Sequence, residues 1–405
     1  MANKKTILSE EIELSEIVLK KTNQAFEMIK QEDIVSMKKT HKRRKKMFKT
    51  QAAAAAGVCI LAVSGISAAA AVHHYWGRGM NGNIQASDEQ QQALTEKNIA
   101  KVYREEPDSP SPAVTINGVT IEPRPALSSM RARCPVTING VTIEPDTVIA
   151  DERFVYMAFR ISGYSVADRT EPGFDMVNVY QGDHPEDESA WVNMSGTMYD
   201  GIVLDENGAS VYEDGTSVES YEDGSVISHY TDDNGNMEYI IQASAADKND
   251  SLLGKTLHVA FKDLGTFSKA TFIPAVEGVW NFELNLSDVS STRNIKVGKK
   301  VEGTGFTMED ISISPISIQV NYSVSEAPTE HEDDLGIPEV KGVVLKDGTR
   351  ISYLANPGRL GYTDNNKSNA YQIAGFARVV DVDEIAALIV LTSHENEKVE
   401  IPLSE

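Results

Sequence analysis

The run Ala52–Val72, AAAAAGVCILAVSGISAAAAV, holds no charged residue, no Pro and no Asn or Gln. Its 21 residues, wound as a helix rising about 1.5 Å per residue, reach about 30 Å, the thickness of a bilayer's hydrocarbon core. A segment of this kind leaves a chain few choices. Unless it is buried inside a protein, it must lie in lipid, and in lipid only a helix satisfies its own backbone. The sequence therefore predicts a transmembrane helix over residues 51–73.

Charge on either side supports that reading. Residues 1–50 carry 13 Lys/Arg and 7 Asp/Glu, a net +6. The other 355 residues carry 25 and 53, a net -28, giving -22 in total. The inner excess stands directly before the apolar run, where Lys42, Arg43, Arg44, Lys45 and Lys46 sit in KKTHKRRKK. Tyr75 and Trp76 follow the run as an interfacial aromatic pair. Lys and Arg stay on the cytoplasmic side, so the N-terminus is expected inside and the acidic remainder outside. The basic cluster would rest on anionic membrane lipid. Two alternatives compete. A buried soluble helix leaves the flanking pattern unaccounted for; a cleaved signal peptide, for which Ser67–Val72 offers small residues, would carry an unusually long segment before its apolar part. The acidic total argues against nucleic acid as a partner. Cys59 lies in the run and Cys134 beyond it, so they cannot pair, and no disulfide scaffold is expected.

Before the span, Ser9 can cap a helix that continues to about Lys30. Leu14, Ile17, Val18, Ala25, Met28 and Ile29 share one face of it, and Glu13, Glu16 and Glu27 lie opposite. An isolated helix of this length cannot bury its own apolar face. A membrane-lying helix would carry a basic polar face, which favours a protein partner.

After the span, Ser87 and Gln90 form a capping box for a juxtamembrane helix read to about Arg104. Strand signals then dominate. Phe154–Ile161, FVYMAFRI, is apolar on both faces; Trp280, Phe282, Leu284 and Leu286 alternate with polar residues, as do Ile316, Ile318, Val320 and Tyr322. Residues 205–240 read as a meander in which Tyr212, Tyr221 and Tyr230 recur every nine residues, with Asp214-Gly215, Asp223-Gly224 and Asn234-Gly235 in the turns. Calcium loops of EF-hand spacing do not fit these turns. Asp381–Ala387 reads as a short helix before a strand at Leu388–Leu391. Val114–Pro123 and Val136–Pro145 are the same ten residues, VTINGVTIEP, repeated at an offset of 22. So exact a match over so short a span indicates a local tandem duplication.

The expected fold is mainly β: an N-terminal amphipathic helix, one transmembrane helix, then two β-sandwich-like extracytoplasmic domains. The expected parts are 1–50 cytoplasmic, 51–73 transmembrane, 74–108 juxtamembrane helix and linker, 109–288 the first β domain and 289–405 the second. No motif for acyl or phosphoryl transfer or for a zinc site stands in a fitting context. No enzyme activity, catalytic residue, cofactor or metal is expected.

The order of parts resembles anti-sigma-factor-like single-pass membrane proteins of Gram-positive bacteria that carry the domain of unknown function numbered 4179. The resemblance rests on KKTHKRRKK, YWGRGMNGNIQASDEQQQ, FVYMAFRISGY, PGFDMVNV, LLGKTLHVAFKDLGT and EGVWNFELNL, with ISISPISIQVNYSV and GVVLKDG in the second β part. It implies a regulator whose cytoplasmic segment holds a sigma factor while the outer β domains sense the envelope. The duplication is extra to that pattern, and no His-x3-Cys-x2-Cys zinc motif precedes the span. The alternative is a cell-surface adhesion or wall-binding protein with a simple anchor. No extracytoplasmic ligand is named by any of these residues.

Overall fold

The computed structural model describes residues 76–103, 114–116, 119–121, 135–182, 192–205, 207–268, 271–326, 335–356, 358–392 and 397–403. The predicted span and the amphipathic helix lie outside these residues. No helix among the described residues is long and apolar enough to cross a membrane. The described residues fall within one compact unit, Leu61–Glu405.

Two short helices come first, α1 (Arg78–Asn83) and α2 (Asp88–Glu96). Strands follow: β1 (Ala100–Val102), β2 (Val114–Ile116), β3 (Val119–Ile121), β4 (Val136–Ile138), β5 (Val141–Ala150), β6 (Phe154–Ser162) and β7 (Glu171–Gln181). Next are β8 (Asn193–Met198), β9 (Ile202–Leu204), β10 (Ser210–Tyr212), β11 (Met237–Ser244), β12 (Thr256–Ser268) and β13 (Thr271–Asn285). The rest are β14 (Arg293–Lys300), β15 (Phe306–Ile313), β16 (Ser317–Val324), β17 (Glu339–Leu345), β18 (Arg350–Ile351), β19 (Arg359–Tyr362), β20 (Asn369–Gly375), β21 (Ile385–Leu391) and β22 (Lys398–Pro402). The protein is mainly β, and each of these strands pairs antiparallel to its neighbours.

A sheet ordered β1-β5-β6-β11-β8, with β4 also on β5, packs on a sheet ordered β13-β12-β7. Met157, Phe159, Ile161, Phe174, Phe261 and Trp280 fill the space between them. Further along the chain, β14-β15-β16-β20-β19 packs on β18-β17-β21-β22 around Phe306, Ile311, Val320, Val343, Leu388 and Val390. Both pairs are sandwich-like, and strands with one free face, such as β12 and the end of β13, alternate inward apolar with outward residues.

A third core explains why β6 is apolar on both faces. Val155, Met157, Phe159 and Ile161 point into the first core. Phe154, Tyr156 and Ala158 point the other way, against Trp76, Met80, Ile84, Leu94 and Ile99 and against Ile316, Tyr371, Ile373 and Val379. A strand covered on both sides carries no polar alternation. The stretch from Trp76 to Val102 is thus wedged between β6 and the second sandwich. Gln85 seals it there: its N–H donates to Ala377 O at 2.8 Å, and its carbonyl accepts from Val379 N at 2.8 Å.

The junction also buries one carboxylate. Asp151 is fully enclosed. Its Oδ1 accepts the N–H groups of Arg153 and Phe154, each at 2.8 Å. Its Oδ2 accepts the hydroxyls of Ser314 and Ser317 from the second sandwich. Beside it Tyr156 Oη donates to Phe376 O at 2.7 Å. The two halves approach so closely that a Cβ at Gly375 would stand 2.3 Å from Tyr156 Oη.

Several expectations change. The juxtamembrane helix keeps its capping box, Gln90 N to Ser87 Oγ at 3.3 Å and Ser87 N to Gln90 Oε1 at 2.9 Å, but it stops at Glu96 rather than Arg104. Asn98 takes a left-handed φ of 56°, Ile99 N bonds back to Leu94 O and Asn98 N to Thr95 O. That is a Schellman ending with Asn in the position usually held by Gly, closed by the Leu94–Ile99 apolar pair. The chain then becomes β1, on β5. Trp76, expected at the membrane interface, is instead 0% exposed within the third core, because β6 presents an apolar outer face that its indole covers. Only the three residues Val382–Glu384 form a helical turn; Ile385 and Ala387 already pair with β17.

Candidate functional site

The meander folds through one turn used repeatedly. Gly208, Gly215, Gly224 and Gly235 all have φ between 78° and 86°. In each case the glycine N–H donates to the carbonyl three residues back, and that same residue's N–H donates to the carbonyl four residues on. Only Gly adopts this φ without strain. An aspartate braces each turn: Asp205 Oδ1 accepts from Ala209 N, Asp214 Oδ1 from Thr216 N, Asp223 Oδ1 from Ser225 N and Asp232 Oδ1 from Asn236 N. The Thr216 hydroxyl and N–H hold the Asp214 carboxyl below its ordinary range. The Ser225 hydroxyl and N–H do the same for Asp223. These acids are therefore engaged in turn geometry, as the Asp-Gly pattern predicted. Between the turns the pairing is thin, with isolated bridges Val211–Ser217, Ser220–Val226 and Thr231–Met237 where full strands were expected.

The meander and the loop before β7 enclose a groove of about 810 Å³. Arg78, at the start of α1, forms part of its wall. Its main-chain N–H donates to Glu238 Oε1 at 3.1 Å, and Gly79 N to Glu238 Oε2 at 2.7 Å. The Glu238 carboxylate is buried at the first turn of a helix, where unpaired N–H groups point. The Arg78 guanidinium meets Glu213 at 2.7 Å, donates to His229 O at 2.8 Å and lies 5.1 Å from the centre of the Tyr199 ring. Burial, followed by the Glu213 charge, raises the Tyr199 hydroxyl far above its usual pKa, so this phenol stays neutral. Gly201 takes a φ of +82°, which favours glycine, and a Cβ there would stand 2.7 Å from Arg78 Nη2 and displace that guanidinium.

On the opposite lip Arg169 stacks 4.2 Å above the Tyr221 ring and faces Asp223 at 3.9 Å. Tyr212 stacks on His229 at 4.7 Å, and its hydroxyl donates to Ile227 O at 2.9 Å. Both arginines thus have acidic partners, and Asp168, Glu171, Asp232 and Asp233 also line the groove. The lining carries more acid than base, with Tyr221 and Tyr230 as apolar surfaces. Such a lining suits a cationic or amine-bearing group laid on tyrosine faces. Among the described residues no group of three or more His, Cys, Asp and Glu is placed to hold a metal ion.

Of the residues singled out from sequence, Leu14, Ile17, Val18, Ala25, Met28, Ile29, Lys42, Arg43, Arg44, Lys45, Lys46 and Tyr75 lie outside the described residues. Trp76 is described, two residues before Arg78. Sequence reading passed over Arg78, Glu238 and Asp151. One signal for Glu238 was present: it is a lone acid inside the apolar run of β11.

No family model matches the chain, and no curated protein does. A solved structure described as the crystal structure of the conserved domain protein from Bacillus anthracis is similar, with a TM-score of 0.38 and 14% identity, covering 69% of this chain and 89% of that one. Likeness at this level assigns no function.

Proposed function

We propose that this chain is a membrane-anchored, single-pass regulator. Its cytoplasmic helix holds a sigma factor on the face formed by Leu14, Ile17, Val18, Ala25, Met28 and Ile29, and its β body lies outside the membrane and reads the state of the envelope. The support comes from the charge step across an uncharged run of bilayer length, from the sequence resemblance, and from one structural observation. That observation is Trp76. Only four residues beyond Val72, its side chain is fully enclosed between β6 and the second sandwich. Three residues, His73, His74 and Tyr75, stand between the end of the apolar run and Trp76 in the sequence. A change in the body therefore reaches the span directly, which a simple tether would not require. Arg78, in the groove wall, lies two residues further on. A cationic ligand competing for Glu213 would disturb the turn of α1 that carries Met80 into the same core.

Affinity capture of the tagged full-length chain from membranes of its own host tests this reading. Mass spectrometry should identify a sigma factor, and Leu14→Asp with Val18→Asp should release it while the chain stays in the membrane fraction. Capture of no sigma factor, or equal capture by the double variant, refutes the regulator and leaves adhesion or wall binding.

A further inference from the structure

Six residues of the first copy, those of β2 and β3, pair as their counterparts in the second copy do. β4 and the start of β5 pair Val136 with Ile143, Thr137 with Thr142 and Ile138 with Val141. β2 and β3 pair Val114 with Ile121, Thr115 with Thr120 and Ile116 with Val119. The register is the same, but the two hairpins are placed differently. The second is seated in the large sheet, whereas the first forms a separate two-stranded sheet.

The seat recognises its occupant through residues that both copies possess. Val141 and Ile143 are buried in the first core. Trp280 Nε1 donates to Val141 O at 3.4 Å, Asn139 Nδ2 to Glu277 O at 2.9 Å, and the Thr137 and Thr142 hydroxyls meet at 2.8 Å. Arg160 pairs with Glu144. The turn comes so near Gly163 that a Cβ there would stand 2.2 Å from Gly140 O. The first copy supplies Val119, Ile121, Asn117, Thr115, Thr120, Glu122 and Gly118 for every one of these roles. We propose that Val114–Pro123 is a second occupant of this seat, and that the chain exchanges between two registers 22 residues apart.

The connections allow it. β1 and β4 lie along the same edge of β5, with Val102 opposite Thr147 and Val136 opposite Ile143. The end of one strand and the start of the other are therefore four positions apart along β5, about 13 Å at strand rise. With the first copy seated, residues 103–113 make that crossing, and a chain of this length reaches roughly 36 Å. On the far side, residues 124–145 would loop out before Asp146. The β5–β6 ladder already breaks register there, between Pro145 and Thr147; Asp146 and Thr147 are buried, so the departing segment leaves only by displacing what covers this step. Closing a loop of this length carries only a slowly growing entropic cost. Continuity of β5 favours the second copy, as observed. Damage to that copy should shift the population to the first.

The test sets Ile143→Asp in the full chain against the same substitution in a chain lacking residues 114–135, which has one copy only. A charge at this buried position should lower the melting temperature by about 10 °C or more in the one-copy chain, and by less than about half of that in the full chain. Hydrogen exchange read by mass spectrometry distinguishes the copies, because the substitution changes the mass of one. In the full-length variant, protection should move from the 136–145 peptide to the 114–123 peptide. Ile121→Asp alone should leave melting unchanged, and the two substitutions together should reproduce the one-copy loss. Equal losses in both chains, a 114–123 peptide that stays unprotected, or a rescue that vanishes on dilution and so comes from a second molecule would each overturn exchange within one chain.

Discussion

Replacing Asp151 by Ala removes the acceptor for four donors, three of them buried: the part-buried N–H of Arg153, the N–H of Phe154 and the hydroxyls of Ser314 and Ser317. Each orphaned buried group costs about 1–3 kcal/mol. The hydroxyls can turn to other acceptors, so the sum should fall near 3–5 kcal/mol, in the range seen when one side of a buried charged network is deleted. At about 2 °C per kcal/mol, the lower end for a large body, the melting temperature should drop by about 6–10 °C. The Ser317→Ala variant should lose less, because it removes one donor and leaves the carboxylate its two N–H bonds and the Ser314 hydroxyl. The Asp151→Ala, Ser317→Ala variant should be no worse than Asp151→Ala, since it also lacks the hydroxyl that Asp151→Ala orphans. Differential scanning calorimetry of the four proteins decides this. A drop below about 2 °C for Asp151→Ala, or strictly additive losses, would refute the reasoning. The pH dependence gives a second check. Burial raises the Asp151 pKa above its ordinary value, against the opposing hydrogen bonds from Ser314, Ser317, Arg153 and Phe154. A carboxyl whose folded pKa is raised contributes most below its unfolded pKa, and that contribution is lost as pH rises through the folded value. The advantage of wild type over Asp151→Asn should therefore be largest in acid and shrink upward from about pH 4.

Further outcomes follow from close packing and from left-handed backbone. Gly375→Ala places a Cβ against Tyr156 Oη and the Phe154 ring, and should cost about 1–3 kcal/mol; Tyr156→Phe in the same chain should recover part of it, read by urea unfolding. Asn98→Gly should leave stability unchanged, whereas Asn98→Val at the same φ of 56° should lower it by about 1–2 kcal/mol, seen as a shift in melting temperature. Trp76→Ala empties the largest side chain of the third core and should cost about 3–5 kcal/mol; if the body carries signals to the span, it should also alter sigma-factor capture. Removing residues 114–135 should leave the melting temperature within about 2 °C of wild type, because one hairpin still fills the seat.

Much of the β architecture was legible because its signals are local. The Asp-Gly and Asn-Gly turns at Gly215, Gly224 and Gly235 appear where written, since positive φ is a property of the glycine itself. Ser87 and Gln90 likewise announce a helix start within four residues. The helix end was missed because Asn98, a weaker left-handed residue than Gly, carried the stop and no glycine marked it. The groove was missed for a different reason. Arg78, Glu213 and His229 are far apart in sequence and come together only through the fold.

The same division holds for the whole chain. By itself the sequence determined where charge changes sign, where an uncharged run of bilayer length stands, which stretches alternate as strands, and that one hairpin is written twice. All of these depend on composition or on spacings of a few residues. Only tertiary structure decided that Trp76 is enclosed by protein, that Asp151 joins the two sandwiches, and which copy of the hairpin holds the seat. Each of these depends on partners far away in the sequence or on a choice between identical segments. Local physics cannot make that choice, because the ten residues are the same and only their connections to the rest of the chain differ.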